Sequence, residues 1–183
     1  MKRLREVIMT INHKKSIYKG KVINLVVENV TLPNGDTCDL EIIHHPGGSA
    51  IVALNDNNEI CLLKQYRQAL RQWIWELPAG KIEPDADAFL TAQRELEEEA
   101  GVLAEKWQSL GLTHTSPGFF TENIYCYLAQ NLKSTEQKLE HGEVLEVHWV
   151  DMAIAIRQVV TGEINDAKSC VGILRAANAL GLL

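Results

Sequence analysis

Glu95, Glu98 and Glu99 stand at i, i+3 and i+4 in a stretch rich in good helix formers. That spacing puts the three carboxylates on one helical face. Like charges so placed repel, at about 0.2–0.5 kcal/mol per i,i+4 pair in an isolated helix. The helix gains nothing structural from them. A hard divalent cation reverses the sign of the interaction, because Mg²⁺ and Mn²⁺ prefer carboxylate and water oxygens. A cation so held keeps positions open for water and phosphate oxygens, the arrangement suited to attack at phosphorus. Taken alone, the run Glu97-Glu98-Glu99 is also what a solvated helix face looks like, with Arg94 paired to Glu98 at i+4.

The flanks decide between these readings. Gly80, Arg94, Glu95, Leu96, Glu98, Glu99, Gly101 and Val102 fit the pattern G-x5-E-x7-R-E-U-x-E-E-x-G-U, where U is aliphatic, at eight of its nine fixed positions. The stretch therefore resembles the Nudix box of the Nudix hydrolase family, and a pattern this long is far more specific than a lone short motif. Ala86 replaces the first glutamate of the box. In the family that glutamate helps to hold the loop and helix together, partly through the box arginine. Asp85 and Asp87 flank the gap, and either could substitute.

Further segments are similar to the ADP-ribose pyrophosphatase subfamily: Tyr18–Lys21, Leu32–Gly35, Glu41 with His45–Gly47, Gln65–Arg67, Trp75–Gly80, Ser116–Phe119 with Glu122, and Asp166–Lys168. The resemblance implies Mg²⁺, or Mn²⁺, held by the carbonyl of Ala79 and by Glu95 and Glu99, with Glu98 close by or shared. It places Arg94 and Glu98 in the catalytic apparatus and Arg67 on the substrate's phosphates. Glu76, Glu41, Ser116, Gly118, Phe119 and Glu122 would line the substrate cleft. A glutamate in the loop before the late strand would activate water: Glu143 first, then Glu140, with His141 chemically able. The implied reaction is hydrolysis of the pyrophosphate of ADP-ribose, to AMP and ribose 5-phosphate, or of a related nucleoside diphosphate sugar. Where subfamily members stack adenine, this chain has Lys21 and Leu40, so Tyr18, Trp73 or Trp75 are the remaining aromatic candidates. Another nucleoside diphosphate derivative, or a non-catalytic Nudix-fold ligand-binding protein, are the competing readings. Subfamily members pair as homodimers through their N-terminal strands, which implies a homodimer here.

The elements that must position these residues follow from periodicity and turn chemistry. Residues 17–30 alternate and are β-branched, predicting a strand, and Pro33–Asp36 predicts a turn into a second strand over Cys38–His44. Ala50–Leu54 and Ile60–Tyr66 predict a hairpin about Asn55–Asn58, and Trp73–Leu77 a short strand. Ala88–Ala100 predicts a helix, capped by Asp85 or Asp87 and ended by Gly101. Strands return at Trp107–His114, Ile124–Ala129 and Val144–Val150; helices follow at Met152–Val160 and Ile164–Leu180, the last with Ala167, Val171 and Leu174 on one face. The whole reads as α+β: an α/β/α sandwich of mixed sheet (the Nudix fold) over residues 48–183, with an N-terminal antiparallel β arm over residues 1–47 for dimerisation and substrate contact.

Composition is that of ordinary globular material: 46% hydrophobic and 23% charged. The 183 residues carry 24 acids and 18 Lys or Arg, for a net charge of −6. Of this, −5 lies between Gly80 and Val102, so the remaining body is nearly neutral. No basic cluster offers a nucleic-acid backbone surface, and no apolar run is long enough for a membrane span. Lys2, Arg3 and Arg5 could open a signal peptide, but Glu6, Asn12 and His13 break the apolar stretch after them. Cys38, Cys61, Cys126 and Cys170 are widely spaced, which suits reduced, mostly buried thiols in a cytoplasmic protein.

Overall fold

The structure, a computed structural model, describes residues 9–183. Lys2, Arg3, Arg5 and Glu6 lie outside the described residues. The chain divides into two compact units, one made of the chain up to Pro46 with Ser116–Glu122, the other of Gly47–Thr115 with Asn123–Leu183.

The first unit is a three-stranded antiparallel sheet, β1 (Thr10–Lys19), β2 (Asn24–Thr31) and β3 (Thr37–His44), in that order. The single strand expected over 17–30 is instead two. Gly20 turns the chain, its N–H donating to the carbonyl of Ile23 at 2.9 Å, and residues 10–19 pair back on 24–31. The turn at Pro33–Asp36 forms as expected, with Gly35 at φ 93°, a value glycine adopts without penalty. Every residue of β1 is exposed, whereas β2 alternates and buries Val26, Glu28 and Val30. Phe119 and Thr121 extend this unit by bonding to Ile43: the Ile43 N–H donates to the Phe119 carbonyl at 2.7 Å, and the Thr121 N–H donates to the Ile43 carbonyl at 2.9 Å.

The second unit is built on β4 (Gly48–Ala53), β5 (Glu59–Arg67), β6 (Gln72–Glu76), β7 (Ala79–Lys81), β8 (Val102–His114), β9 (Asn123–Ser134) and β10 (Leu145–Asp151), with helices α1 (Ala88–Ala100), α2 (Met152–Thr161) and α3 (Ala167–Ala179). The strands form two sheets, ordered β7-β4-β9-β8 and β10-β5-β6. All pairs are antiparallel except β4 with β9.

The expected β4–β5 hairpin does not form; the two strands lie in different sheets and share only a bridge between Leu54 and Ile60. The reason is burial. All six residues of β4 are buried, so it needs partners on both edges and cover on both faces, and β7 and β9 supply the edges. Its alternate side chains enter two cores. Ile51 and Ala53 meet Ala92 and Leu96 of α1, while Val52 and Leu54 meet Met152 and Ala155 of α2 and Ile173, Ala176 and Ala177 of α3. This is an α/β/α sandwich, α+β in class. The last helix begins after Asp166, not at Ile164, and its buried face is Ser169, Gly172, Ile173, Ala176 and Ala177; Ala167 is exposed. Gly172 turns that face inward because a Cβ there would come within 2.7 Å of Leu77 Cδ1. The four cysteines are free, with Cys61 and Cys126 buried and Cys38 and Cys170 half-buried. Among the described residues no helix is long and apolar enough to cross a membrane.

Candidate active site

Helix α1 starts where Asp87 accepts the Leu90 N–H at 2.8 Å and stops where Gly101 takes φ 64°. Its length and 3.6-residue period turn Ala92, Leu96, Glu95 and Glu99 inward together, while Glu97 and Glu98 stay partly exposed. Glu95 and Glu99 are only 6% and 2% exposed, unusual for carboxylates. Both lean on β7. Glu99 accepts the backbone N–H of Ala79 at 2.8 Å, and Glu95 lies across Gly80 so closely that a Cβ there would fall inside its carboxylate. Two short segments, Ala79-Gly80 and the inner face of α1, thus fix the acids against one another.

Burial pushes the Glu95 carboxyl up to about 7, with Arg94 opposing and the charges of Glu98 and Glu143 adding. Burial likewise pushes Glu99 up to about 8, opposed by the Ala79 N–H and reinforced by Glu95 and Glu143. Glu143 therefore bears on both buried acids from the loop before β10. Its own side chain accepts the Glu140 N–H at 2.8 Å, which folds the loop on itself. Glu140 is largely exposed and His141 is exposed. The loop is tied to the C-terminal end of α1, where the Lys138 N–H donates to the Glu98 carbonyl at 2.9 Å and the Gln137 side-chain amide to the Glu99 carbonyl at 2.6 Å.

Arg94 forks between Glu95 and Glu98, at 2.5 Å to each, and stands 4.0 Å from Glu140. Among the described residues neither Asp85 nor Asp87 pairs with it, and Asp87 serves as the helix cap instead. The place left by Ala86 is thus met by the arginine turning to its own helix.

Arg67, at the end of β5, makes a two-point pair with Glu76 at the end of β6, Nε to Oε1 at 2.6 Å and Nη2 to Oε2 at 2.8 Å. Glu76 is 1% exposed and also receives the ammonium of Lys168 from the first turn of α3. Burial pushes Glu76 up, but Arg67 and Lys168 outweigh it and hold it below the usual carboxylate range. The bond to Glu76 raises Arg67 above its ordinary value against the opposing effect of burial, and the charges of Glu76, Glu99 and Asp166 add to it. Lys168 has no assigned role in the sequence reading; the pattern Asp166-x-Lys168 was its only signal there.

The remaining sequence candidates belong to the first unit. Glu41 is exposed on β3. Ser116 starts a tight turn, its carbonyl accepting the N–H of Phe119 and of Phe120, at 3.2 and 3.0 Å. Gly118 has open space around it, and Phe119 is 52% exposed. Glu122 pairs with His45 at 3.4 Å, and the His45 ring lies 5.3 Å from that of Phe120. Of the aromatic candidates, Trp75 is engaged by Lys64 over its face at 4.5 Å and by His148 at its edge, whereas Trp73 and Tyr18 are exposed.

The donor set suits a divalent cation. Burial and the neighbouring carboxylates disfavour the charged forms of Glu95 and Glu99, and Arg94, the Ala79 N–H and Arg67 only partly relieve them. Among the described residues no three such side chains form a closed cage, and Arg94 holds Glu95 and Glu98. A cation bound here would share those two carboxylates with the arginine.

The NUDIX domain model matches residues 44–168. The chain is 42% identical over 162 residues to an ADP-ribose pyrophosphatase of Bacillus subtilis (strain 168), covering 87% of this chain and 88% of that protein. It is 37% identical to a methanol dehydrogenase activator of Bacillus methanolicus, covering 87% of each. It is 36% identical to an ADP-ribose pyrophosphatase of Mycobacterium tuberculosis (strain ATCC 25618 / H37Rv), covering 87% of this chain and 79% of that one. A crystal structure of an ADP compounds hydrolase superposes with a TM-score of 0.81 at 17% identity, covering 96% and 97% of the two chains, a likeness of fold.

Proposed function

Since the chain belongs to the NUDIX domain family, we propose that it is a pyrophosphohydrolase that cleaves ADP-ribose to AMP and ribose 5-phosphate. The observation that carries this is the pair of buried acids Glu95 and Glu99 seated against Ala79-Gly80, in the same unit as the Arg67 guanidinium held by Glu76. One unit thus holds anionic donors for a cation and a cationic fork suited to phosphate.

Glu95, Glu99 and the Ala79 carbonyl would hold Mg²⁺ or Mn²⁺, with Glu98 nearby. When bound, the cation supplies Lewis-acid stabilisation of charge on the phosphoryl oxygens. Arg67, braced by Glu76, holds the diphosphate. Glu143 takes the proton of the attacking water as its oxygen bonds to one phosphorus. The P–O bond to the bridging oxygen breaks, and the two phosphate monoesters leave as products. Arg94, paired with Glu95 and Glu98, keeps that helix face from carrying unopposed charge, and those two carboxylates would be shared between it and a bound cation. Glu41, Ser116, Gly118, Phe119 and Glu122 would contact the nucleotide or the terminal ribose.

The exposed strand β1 has an edge and two faces to offer a second copy, which supports a homodimer built through the N-terminal strands. The uneven charge and the free cysteines suit a cytoplasmic protein. A second reading, hydrolysis of a different nucleoside diphosphate sugar, is favoured by Lys21 and Leu40, neither of which offers adenine an aromatic face.

A substrate panel with Mg²⁺ decides among these: kcat/KM for ADP-ribose, ADP-glucose, GDP-mannose and diadenosine polyphosphates. ADP-ribose should lead. Saturable binding without turnover of any of them would instead mark a ligand-binding protein, and a sugar other than ribose at the top would favour the second reading. Sedimentation as a monomer would remove the dimer.

A further inference from the structure

Two cations converge on one buried carboxylate in the second unit. Glu76 takes Arg67 through both oxygens and takes Lys168 through Oε2. Lys168 also donates to Asp166 Oδ2 at 2.9 Å. Asp166 Oδ2 accepts the Ser169 hydroxyl at 2.6 Å, and the Ser169 oxygen accepts the Leu77 N–H at 2.8 Å. Because Leu77 follows Glu76 in the chain, the bonds close into a ring. It ties the ends of β5 and β6 to the first turn of α3.

The charges in the ring balance: Arg67 and Lys168 against Glu76 and Asp166. Removing Lys168 would leave the Arg67 guanidinium facing both carboxylates, with the buried acid Glu99 near it as well. Arg67 would then be neutralised where a diphosphate needs it positive. Lys168 itself does not reach outward. Its side chain is 14% exposed against 41% for Arg67, and its ammonium is engaged by two carboxylates.

We propose that Lys168 is a positioning residue for diphosphate binding, acting through Glu76 to keep Arg67 both oriented and electrostatically available. The inference rests on the reading of the protein as a diphosphatase. Arg67 supplies the contact and Glu76 supplies its orientation. Lys168 supplies the counter-charge that Glu76 would otherwise draw entirely from Arg67. Its bonds run to Glu76 and Asp166 rather than to the acids of α1, so its signature is expected in substrate affinity.

The test compares wild type with Lys168→Met, Lys168→Gln and Lys168→Arg as full chains. Two readouts are taken: KM and kcat for ADP-ribose with saturating Mg²⁺, and the Kd for ADP by titration calorimetry. Met and Gln should each raise KM and the ADP Kd about tenfold while kcat stays within about threefold. Arg, which keeps the charge, should return both constants to within about threefold of wild type. Unchanged affinities in Met and Gln, a fall confined to kcat, or an Arg variant as weak as Met would each overturn the proposal. Should Lys168→Met lose its cooperative melt, the Gln and Arg pair carries the same comparison. If wild type fails to turn over ADP-ribose, the functional reading fails, and the ADP affinities still decide the part played by Lys168.

Discussion

Replacing Gly80 by alanine isolates the acid cradle from the stability of the fold. The Gly80 backbone is not in the left-handed region, so alanine fits its conformation without strain. The added Cβ collides with Cγ, Cδ and Oε1 of Glu95, the outer half of a flexible side chain. The collision is therefore relieved by swinging Glu95 out of its buried seat. Three terms then set the stability change. Loss of the pair with Arg94, itself one-third exposed, is worth at most about 1 kcal/mol. Alanine for glycine gains about 0.4–1 kcal/mol through the unfolded chain. Release of a carboxylate whose burial had raised its pKa to about 7 also favours the variant. Near neutral pH the last of these is the largest, on the order of 3 kcal/mol, so the variant should melt no lower than wild type and up to about 10 °C higher. The consequence for catalysis is much larger, because one of the carboxylates expected to hold the cation is displaced. The Mg²⁺ half-saturation should rise sharply and kcat/KM fall by about 100-fold or more. Thermal melts with and without Mg²⁺, alongside a Mg²⁺ titration of turnover, provide the assay. Wild-type Mg²⁺ dependence in Gly80→Ala would falsify the cradle, and a clear drop in melting temperature would show that Gly80 serves the fold instead.

Gly172→Ala is the counterpart: its Cβ strikes Leu77 in the core, so melting should drop by about 1–3 kcal/mol of stability while the Mg²⁺ half-saturation stays put. Glu143→Gln should lower kcat about 100-fold or more in pre-steady-state and steady-state assays, and a loss below about tenfold would move proton transfer to another group. Without metal, stability should decline with rising pH. Glu95 and Glu99 titrate near 7 and 8 when folded and near 4.5 when unfolded, so the folded state holds more protons between those values. Their contribution is whole below about pH 4.5 and is lost as pH rises through about 8, on the order of 3 kcal/mol for Glu95 alone. Melts across this range should show the decline in EDTA and its reversal with Mg²⁺; a flat profile in EDTA contradicts the buried acids. Asp87→Ala, which removes the cap from α1, should cost about 1 kcal/mol in chemical denaturation.

What the sequence showed plainly was local. Helix α1 announced its face, its cap and its glycine stop, because each depends on neighbours within four residues. The acids of the box were legible for the same reason. The β4–β5 hairpin was misread because Asn55–Asn58 does make a turn, yet turn chemistry says nothing of which sheet each strand joins. That choice came from β4 being buried on both faces and pairing in parallel with β9 more than seventy residues on. The inward face of α3 was misread because its key residue is a glycine, which carries no hydrophobic signal. Lys168 was noticed only as part of Asp166–Lys168, and its pairing was not legible because Glu76 is 92 residues away in sequence. The i,i+4 pair of Arg94 with Glu98 was legible for its short range and forms, whereas neither Asp85 nor Asp87 takes the place of the missing box glutamate.

The bonds from Lys138 and Gln137 to the last carbonyls of α1 have a consequence for how freely this chain can vary. They cap the helix that carries the acids with the very segment that leads, five residues later, to Glu143. Insertions at the exposed loop tip Gly35, where a Cβ would meet open space, alter a connection and little else. An insertion between Lys138 and Glu143 would break the spacing between helix cap and loop acid at once. The two halves of the site are thus cut to a common length, and that short stretch should be among the least extensible in the protein.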